Sequence, residues 1–399
     1  LLVAYLDRVN VSVLLADHKF IADMGIKADA AKQGLIMTIF LLAYGIGNML
    51  LGSVGDMMGP RKAMSLSIFL WTVAVTIGGT ARGIGSLLVS RFLLGAGEAM
   101  HWPMQSTYVK NWFPPKERAR ANAAWLVGLM VGPALAMPIF AHIVGNYGWR
   151  ASFFFLGALG LLLPLPLIWF LTRDYPRQHK MVGEAELRYI EEGQKEEITA
   201  QDSGSFGKNL VALLKNIRFW LITIGYIANA SIWWGIMTWL PKYLSEARGF
   251  SWSNMGYLSA LPYIVGTFSV ILISIISDKM MRRALFYSAG LFGTALFIYL
   301  AAMTQSNMAS AIYISIGIFC FGFNLPTAWS ILQSIVPSNL TGTAAGLMNG
   351  ISNLLSAVAP LFMGYLINTT GSYVGGLMYL IVWGLIGGIC TSILAVQKY

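Results

Sequence analysis

Apolar runs of about twenty residues recur along almost the whole chain, each long enough to cross a lipid bilayer as a helix. In hydrocarbon a backbone has to satisfy its own hydrogen bonds, so runs of this length fold as membrane helices. Candidate spans fall at residues 1–17, 33–54, 62–80, 84–107, 120–145, 150–172, 217–244, 253–277, 283–303, 306–334, 341–368 and 372–395. Only 11% of residues are charged and the mean hydropathy is +0.64, which excludes an ordinary soluble domain. The first run is already apolar at Leu1, so part of the first span and the true N-terminus are expected to lie upstream.

The expected fold is an all-α membrane protein: twelve transmembrane helices in two pseudo-symmetric six-helix halves. Residues 173–216 are polar and read as a cytoplasmic linker with one short surface helix, between an N-terminal bundle at 1–172 and a C-terminal bundle at 217–399. The halves are related in sequence. Gly34 matches Gly256, Asp56 matches Asp278, Arg61 matches Arg283 and Pro115 matches Pro337, all at an offset of 222. Parallel six-helix repeats of this kind place a substrate site near the midplane, between the halves.

The net charge of +10 invites a nucleic-acid reading, but placement on the spans removes it. The even connections and the C-terminal tail carry eighteen Lys/Arg and the odd connections seven, with Arg8 and Arg91 inside spans. That bias puts the even connections and both termini in the cytoplasm. Cys320 and Cys390 lie in apolar runs and suggest buried small side chains rather than a disulfide framework. The sequence has no metal-ligand spacing, no nucleophile elbow and no phosphate-cradling glycine loop. An enzyme is not expected, nor a cofactor; an ion gradient is the expected driving force, with protons as the coupling ion.

Ionised side chains inside the spans carry the chemistry. A charge at the bilayer centre costs at least about 2.5–3.5 kcal/mol, so such residues face a bundle interior or a wet cavity. Arg8 offers a planar fork of donors suited to a carboxylate, which makes it the candidate anion site. Its neighbour Asp7 points about 100° away on a helix, so the two need not saturate each other. Arg91 and Glu98 stand seven residues apart, two turns, on one face of span four. Burial disfavours a charged carboxylate and a nearby guanidinium favours it, so Glu98 is a candidate proton carrier, with Asp7 the second. His101, one turn beyond Glu98, is a candidate substrate contact.

Gly52-x-x-x-Asp56-x-x-Gly59-x-Arg61-Lys62 resembles the cytoplasmic loop motif of the major facilitator superfamily, and Asp278 with Arg282 and Arg283 forms a degraded second copy. Tyr5-Leu-Asp7-Arg8-Val-Asn10, Arg91-Phe-Leu-Leu-Gly95-Ala-Gly97-Glu98, Trp112-Phe113-Pro114-x-x-Glu117-Arg118 and Gly148-Trp149-Arg150 are similar to signatures of its anion:cation symporter branch. That branch includes bacterial sugar-acid carriers and phthalate-type carriers. The resemblance implies proton-coupled uptake of a small organic carboxylate across a bacterial inner membrane by a carrier working as a monomer. It implies a substrate contact at Arg8, beside which Arg91 is a further candidate contact, coupling at Asp7 and Glu98, and pocket positions at Tyr44, Trp329 and Asn353. It implies gating by Gly52, Asp56, Gly59, Arg61 and Arg118, where Asp56 pairs with Arg61 or Arg118 to lock the cytoplasmic ends. The chain departs from the galactonate-type pattern at Met100-His101-Trp102-Pro103 and at Leu129, where those carriers have Gln; Trp233, Trp234 and Trp239 add aromatic surface. These departures suit a less hydroxylated or aromatic acid. An exchanger or efflux carrier, a transport-dead sensor of an external acid, and sodium coupling stay open.

Overall fold

The computed structural model describes residues 1–27, 29–114, 117, 121, 128–200, 211, 213–280, 282–336 and 341–397. These residues form helices, with no strand among them. The first half runs α1 (Leu2–Leu14), α2 (His18–Asp23), α3 (Ala30–Met58), α4 (Pro60–Gly79), α5 (Ile84–Glu98), α6 (His101–Trp112), α7 (Gly128–Tyr147), α8 (Trp149–Leu162) and α9 (Pro164–Leu171). A surface helix, α10 (Glu184–Ala200), occupies the linker, with Glu184 and Glu186 in its first turn where the helix dipole favours acids. The second half runs α11 (Ile217–Lys242), α12 (Trp252–Met280), α13 (Arg283–Met303), α14 (Asn307–Phe321), α15 (Asn324–Ile335), α16 (Thr341–Ser356), α17 (Ala359–Thr370) and α18 (Tyr373–Val396).

Taken in crossings, this is the expected twelve: α5 with α6, α8 with α9, α14 with α15 and α16 with α17 each make one interrupted span. Among the described residues ten helical stretches are long and apolar enough to cross alone; α1 and the α5–α6 pair fall short of that measure. The sequence reading treated span four as one continuous run over 84–107. The structure breaks it at Ala99–Met100 because Pro103 has no N–H to offer the carbonyl of Ala99. The same rule accounts for the gaps at Gly322–Phe323, four residues before Pro326, and near Ser356, four before Pro360. A broken helix is tolerated at membrane depth where it borders a cavity or is buried in protein.

Gly59 and Gly148, both at φ 82, allow the tight turns into α4 and α8, a conformation costly for other residues. Within the first half α3 packs on α5, α4 lies between α5 and α8, and α1 lies on α7. Within the second, α18 packs on α11 and α13, and α14 on α12 and α13. The halves meet through α7 on α12, α3 on α17, and α1 on α11. Eleven of the thirteen residues of α1 are buried, so its charged pair is an interior feature.

Candidate functional site

A cavity of about 610 Å³, part of it open to solvent, lies where the halves meet. From the first half, Tyr5 and Arg8 of α1, Tyr44 of α3 and Leu129 of α7 line it. From the second come Tyr226, Asn229, Ala230, Trp233 and Trp234 of α11, Phe321 and Leu325 beside the α14–α15 break, and Asn349 and Asn353 of α16. Burial deepens along α11, from half-buried Tyr226 to buried Trp233 and Trp234.

Arg8 is the centre of the site. Its Nε donates to Glu98 Oε2 at 2.9 Å, and Nη2 lies 2.8 Å from the same oxygen. Glu98 ends α5 at the break, so the helix interruption delivers the carboxylate to a partner on another helix. Four rings surround the guanidinium, those of Tyr44, Tyr5, Phe40 and Trp234, with centroids 4.6, 4.9, 5.4 and 5.9 Å away. Such faces attract a cation without neutralising it, each contributing about 0.5–2 kcal/mol. Arg8 is thus held at the cavity wall by these rings as well as by its bond to Glu98.

Both carboxylate oxygens of Asp7 are buried without a hydrogen-bond partner among the described residues. Arg91 is fully buried, with Nε and Nη1 likewise unpartnered, Nη2 3.9 Å from the Met37 sulfur and the guanidinium 4.7 Å from the Phe40 ring. Phe40 therefore touches both cations. The two-turn spacing of Arg91 and Glu98 suggested that they act together within span four. In the structure Glu98 bonds Arg8 instead, because its Oε2 faces α1 across the helix interface.

The other expected residues divide. Tyr44 and Asn353 line the cavity, and Asn353 Nδ2 donates to Asn349 Oδ1 at 3.1 Å. Trp329 stands behind the wall, edge-on to Tyr226 at 5.5 Å. His101 is buried edge-on against Trp71 at 5.3 Å and does not line the cavity. Tyr5, Tyr226 and Asn229 line it unforeseen. An asparagine in an apolar run was the available signal for Asn229, whose Oδ1 accepts from Asn324 at 3.1 Å.

Of the loop motif, Gly52 lies in α3, while the side chains of Asp56 and Asp278, and Arg118, lie outside the described residues. Gly59 caps α4 against Asp174. Arg61 donates from its backbone to Asp174 Oδ1 at 2.7 Å and from Nε to the Trp169 carbonyl at 2.9 Å, tying α4 to the end of α9 within one half. Arg282 is exposed at the start of α13, and Arg283 opens that helix.

At the opposite end the halves are bonded together. Asn368 accepts from the Ala30 backbone at 2.8 Å and donates to Asp29 at 3.2 Å; Trp252 donates to the Ala141 carbonyl at 2.6 Å. Buried Lys242 donates to Gln33 across the interface and lies 3.5 Å from Glu246, which accepts from Tyr373 at 2.6 Å. Gly34 lies directly against the Pro360 backbone, and Gly364 against that of Ala30. Beside this end Asp23 accepts from the Trp149 indole at 2.8 Å and from Arg150 at 3.1 Å. The indole bond, chiefly, holds the Asp23 carboxyl below the usual carboxylate range. Gly148-Trp149-Arg150 is therefore a clasp between α2 and α8.

A fold of twelve crossings with a charged cavity between two halves defines a membrane carrier. The profile of the Major Facilitator Superfamily matches residues 1–360, and the chain belongs to that family. It is a multi-pass membrane transporter, not an enzyme. It is 31% identical over 380 residues to a protein of Cupriavidus necator described as a probable sulfoacetate transporter, covering 93% of this chain and 86% of the other. It is 28% identical to a probable galactarate/D-glucarate transporter of Bacillus subtilis, covering 94% and 85%, and 28% identical to the D-galactonate transporter of Escherichia coli, covering 97% and 91%. These relatives agree with the organic-anion branch. Among solved structures, a bacterial homologue of the human lysosomal transporter Spinster, inward-facing and occupied, superposes with TM-score 0.78 at 19% identity, covering 100% of this chain and 95% of the other. A D-xylose–proton symporter superposes with TM-score 0.74 at 13% identity, again covering 100% and 95%.

Proposed function

We propose that the protein imports a small organic carboxylate together with protons by alternating access, working as a monomer in a bacterial inner membrane. The observation that carries the reading is the Arg8–Glu98 bond at the cavity wall. A substrate carboxylate and Glu98 compete for one guanidinium. A proton on Glu98 removes the competing charge and frees Arg8 for the anion; loss of that proton restores the internal pair and expels it. Asp7, buried without a hydrogen-bond partner among the described residues, is the second proton site on this reading.

The sealed end carries the connections with fewer Lys/Arg, which by the positive-inside rule supports an outward position for it and a cavity facing the cytoplasm. The Arg8–Glu98 pair is the arrangement this reading expects once the anion has left. The first half and second half act as two lobes around the 173–216 linker, and pairing of Asp56 with Arg61 or Arg118 closes the cytoplasmic ends in the opposite state. The names of the relatives, all carriers of organic acids, support an anionic cargo.

Transport in proteoliposomes tests this. A pH gradient without sodium drives uphill uptake in the wild type. Glu98→Gln keeps counterflow and loses uphill uptake, and Arg8→Ala loses both. Intact pH-driven uptake in Glu98→Gln overturns the coupling role.

A further inference from the structure

We propose that the cavity selects a monocarboxylate with an aryl body over polyhydroxylated or doubly charged acids. The inference rests on reading the cavity as the substrate site. Arg8 is the one cation among the described residues lining it, so a second acidic group on the cargo finds no counter-charge among them. Desolvating such a group unpaired is costly, and this disfavours dianions.

The wall chemistry adds a second, separate reason. Nine of the thirteen described lining residues are aromatic or aliphatic; besides Arg8, the wall's hydrogen-bonding groups are three asparagines and the polar tips of the Tyr and Trp rings. Part of their capacity is already used: Asn353 Nδ2 is given to Asn349 Oδ1, and Asn229 Oδ1 accepts from Asn324. A hexonate brings five hydroxyls, and each one buried against this wall without a partner loses its water bonds uncompensated. A flat ring meets the opposite situation. Trp233 is fixed by stacking on Phe321 at 5.6 Å and 20°, with Tyr263 edge-on at 5.6 Å and Tyr5 edge-on at 6.4 Å. Its orientation is set before any ligand arrives, and Leu129 and Leu325 supply further apolar wall. An aryl carboxylate bonded to Arg8 covers this surface and asks the wall for few hydrogen bonds.

The test compares phenylacetate, D-gluconate and galactarate as ligands of the purified full chain, by thermal shift and by counterflow. Phenylacetate is expected to bind about tenfold or more tighter than gluconate of the same charge, and galactarate weakest. Leu129→Gln adds an amide to the wall and is expected to narrow the gap about threefold or more by weakening phenylacetate and improving gluconate. Gluconate or galactarate binding as tightly as phenylacetate, lost in Arg8→Ala, overturns the selectivity while leaving the substrate site in place. No Arg8-dependent binding of any of the three overturns the site and the selectivity together.

Discussion

Replacing Glu98 by Gln isolates the competition for Arg8. In the wild type two donors of one guanidinium are committed to a single carboxylate oxygen, at 2.9 and 2.8 Å. Hydrogen bonds to charged groups contribute about 1.5–3 kcal/mol each, and an arriving anion has to displace both. The anion then forms comparable bonds, so the gain on removing the competitor is a coupling energy of about 1–3 kcal/mol, or roughly 5–150-fold in affinity. The isosteric amide still accepts one bond from Arg8, which points to the lower part of that range, about tenfold. The four rings around Arg8 keep the guanidinium placed once the carboxylate charge is gone. Loss of one partner of a fully buried pair costs about 3–5 kcal/mol of stability, but a cation at a wet cavity wall and a retained amide bond reduce this. The measurement is the dissociation constant of the transported anion from roughly pH 5.5 to 8. Wild-type affinity is expected to fall as pH rises, and that of Glu98→Gln to be tighter and flat. Equal affinities with equal pH slopes refute the competition.

Three further outcomes are expected. Gly34→Ala places a Cβ against the Pro360 backbone, so the sealed end cannot close; counterflow falls about tenfold or more. Lys242→Met keeps the apolar stem but removes the bond to Gln33. Maleimide labelling of a cysteine placed at Ala30, with Cys320 and Cys390 replaced by Ser, is expected to rise about fivefold or more; unchanged labelling contradicts the latch. Asp23→Asn weakens the clasp on Trp149 and Arg150. Because that carboxyl is held low in the folded chain, its stabilisation is present above the ordinary value of 3.8 and lost as pH falls through the depressed one. The variant therefore melts below wild type at neutral pH, and the difference closes in strong acid.

The twelve crossings were legible because hydropathy reports depth in the bilayer and is written locally. The helix breaks were not read, although Pro103, Pro326 and Pro360 mark them, because a hydropathy run does not register a missing N–H. Arg8, Tyr44 and Asn353 were singled out and lie on the cavity wall. Glu98 was singled out too, but its partner was not: spacing along one helix fixes a face and says nothing of which helix that face meets. The same limit governs His101, which the break after Glu98 turns toward Trp71. It also governs Arg61, whose partners Trp169 and Asp174 lie over a hundred residues away.

The contact of Gly34 with Pro360 and of Gly364 with Ala30 brings two main chains together with no side chain between them. A zipper of interlocked side chains has to be unthreaded rotamer by rotamer, whereas two smooth ribs lift apart as rigid bodies. On the proposed alternating-access reading, the closure at this end is suited to frequent parting, with its grip supplied by a few polar bonds that can be remade.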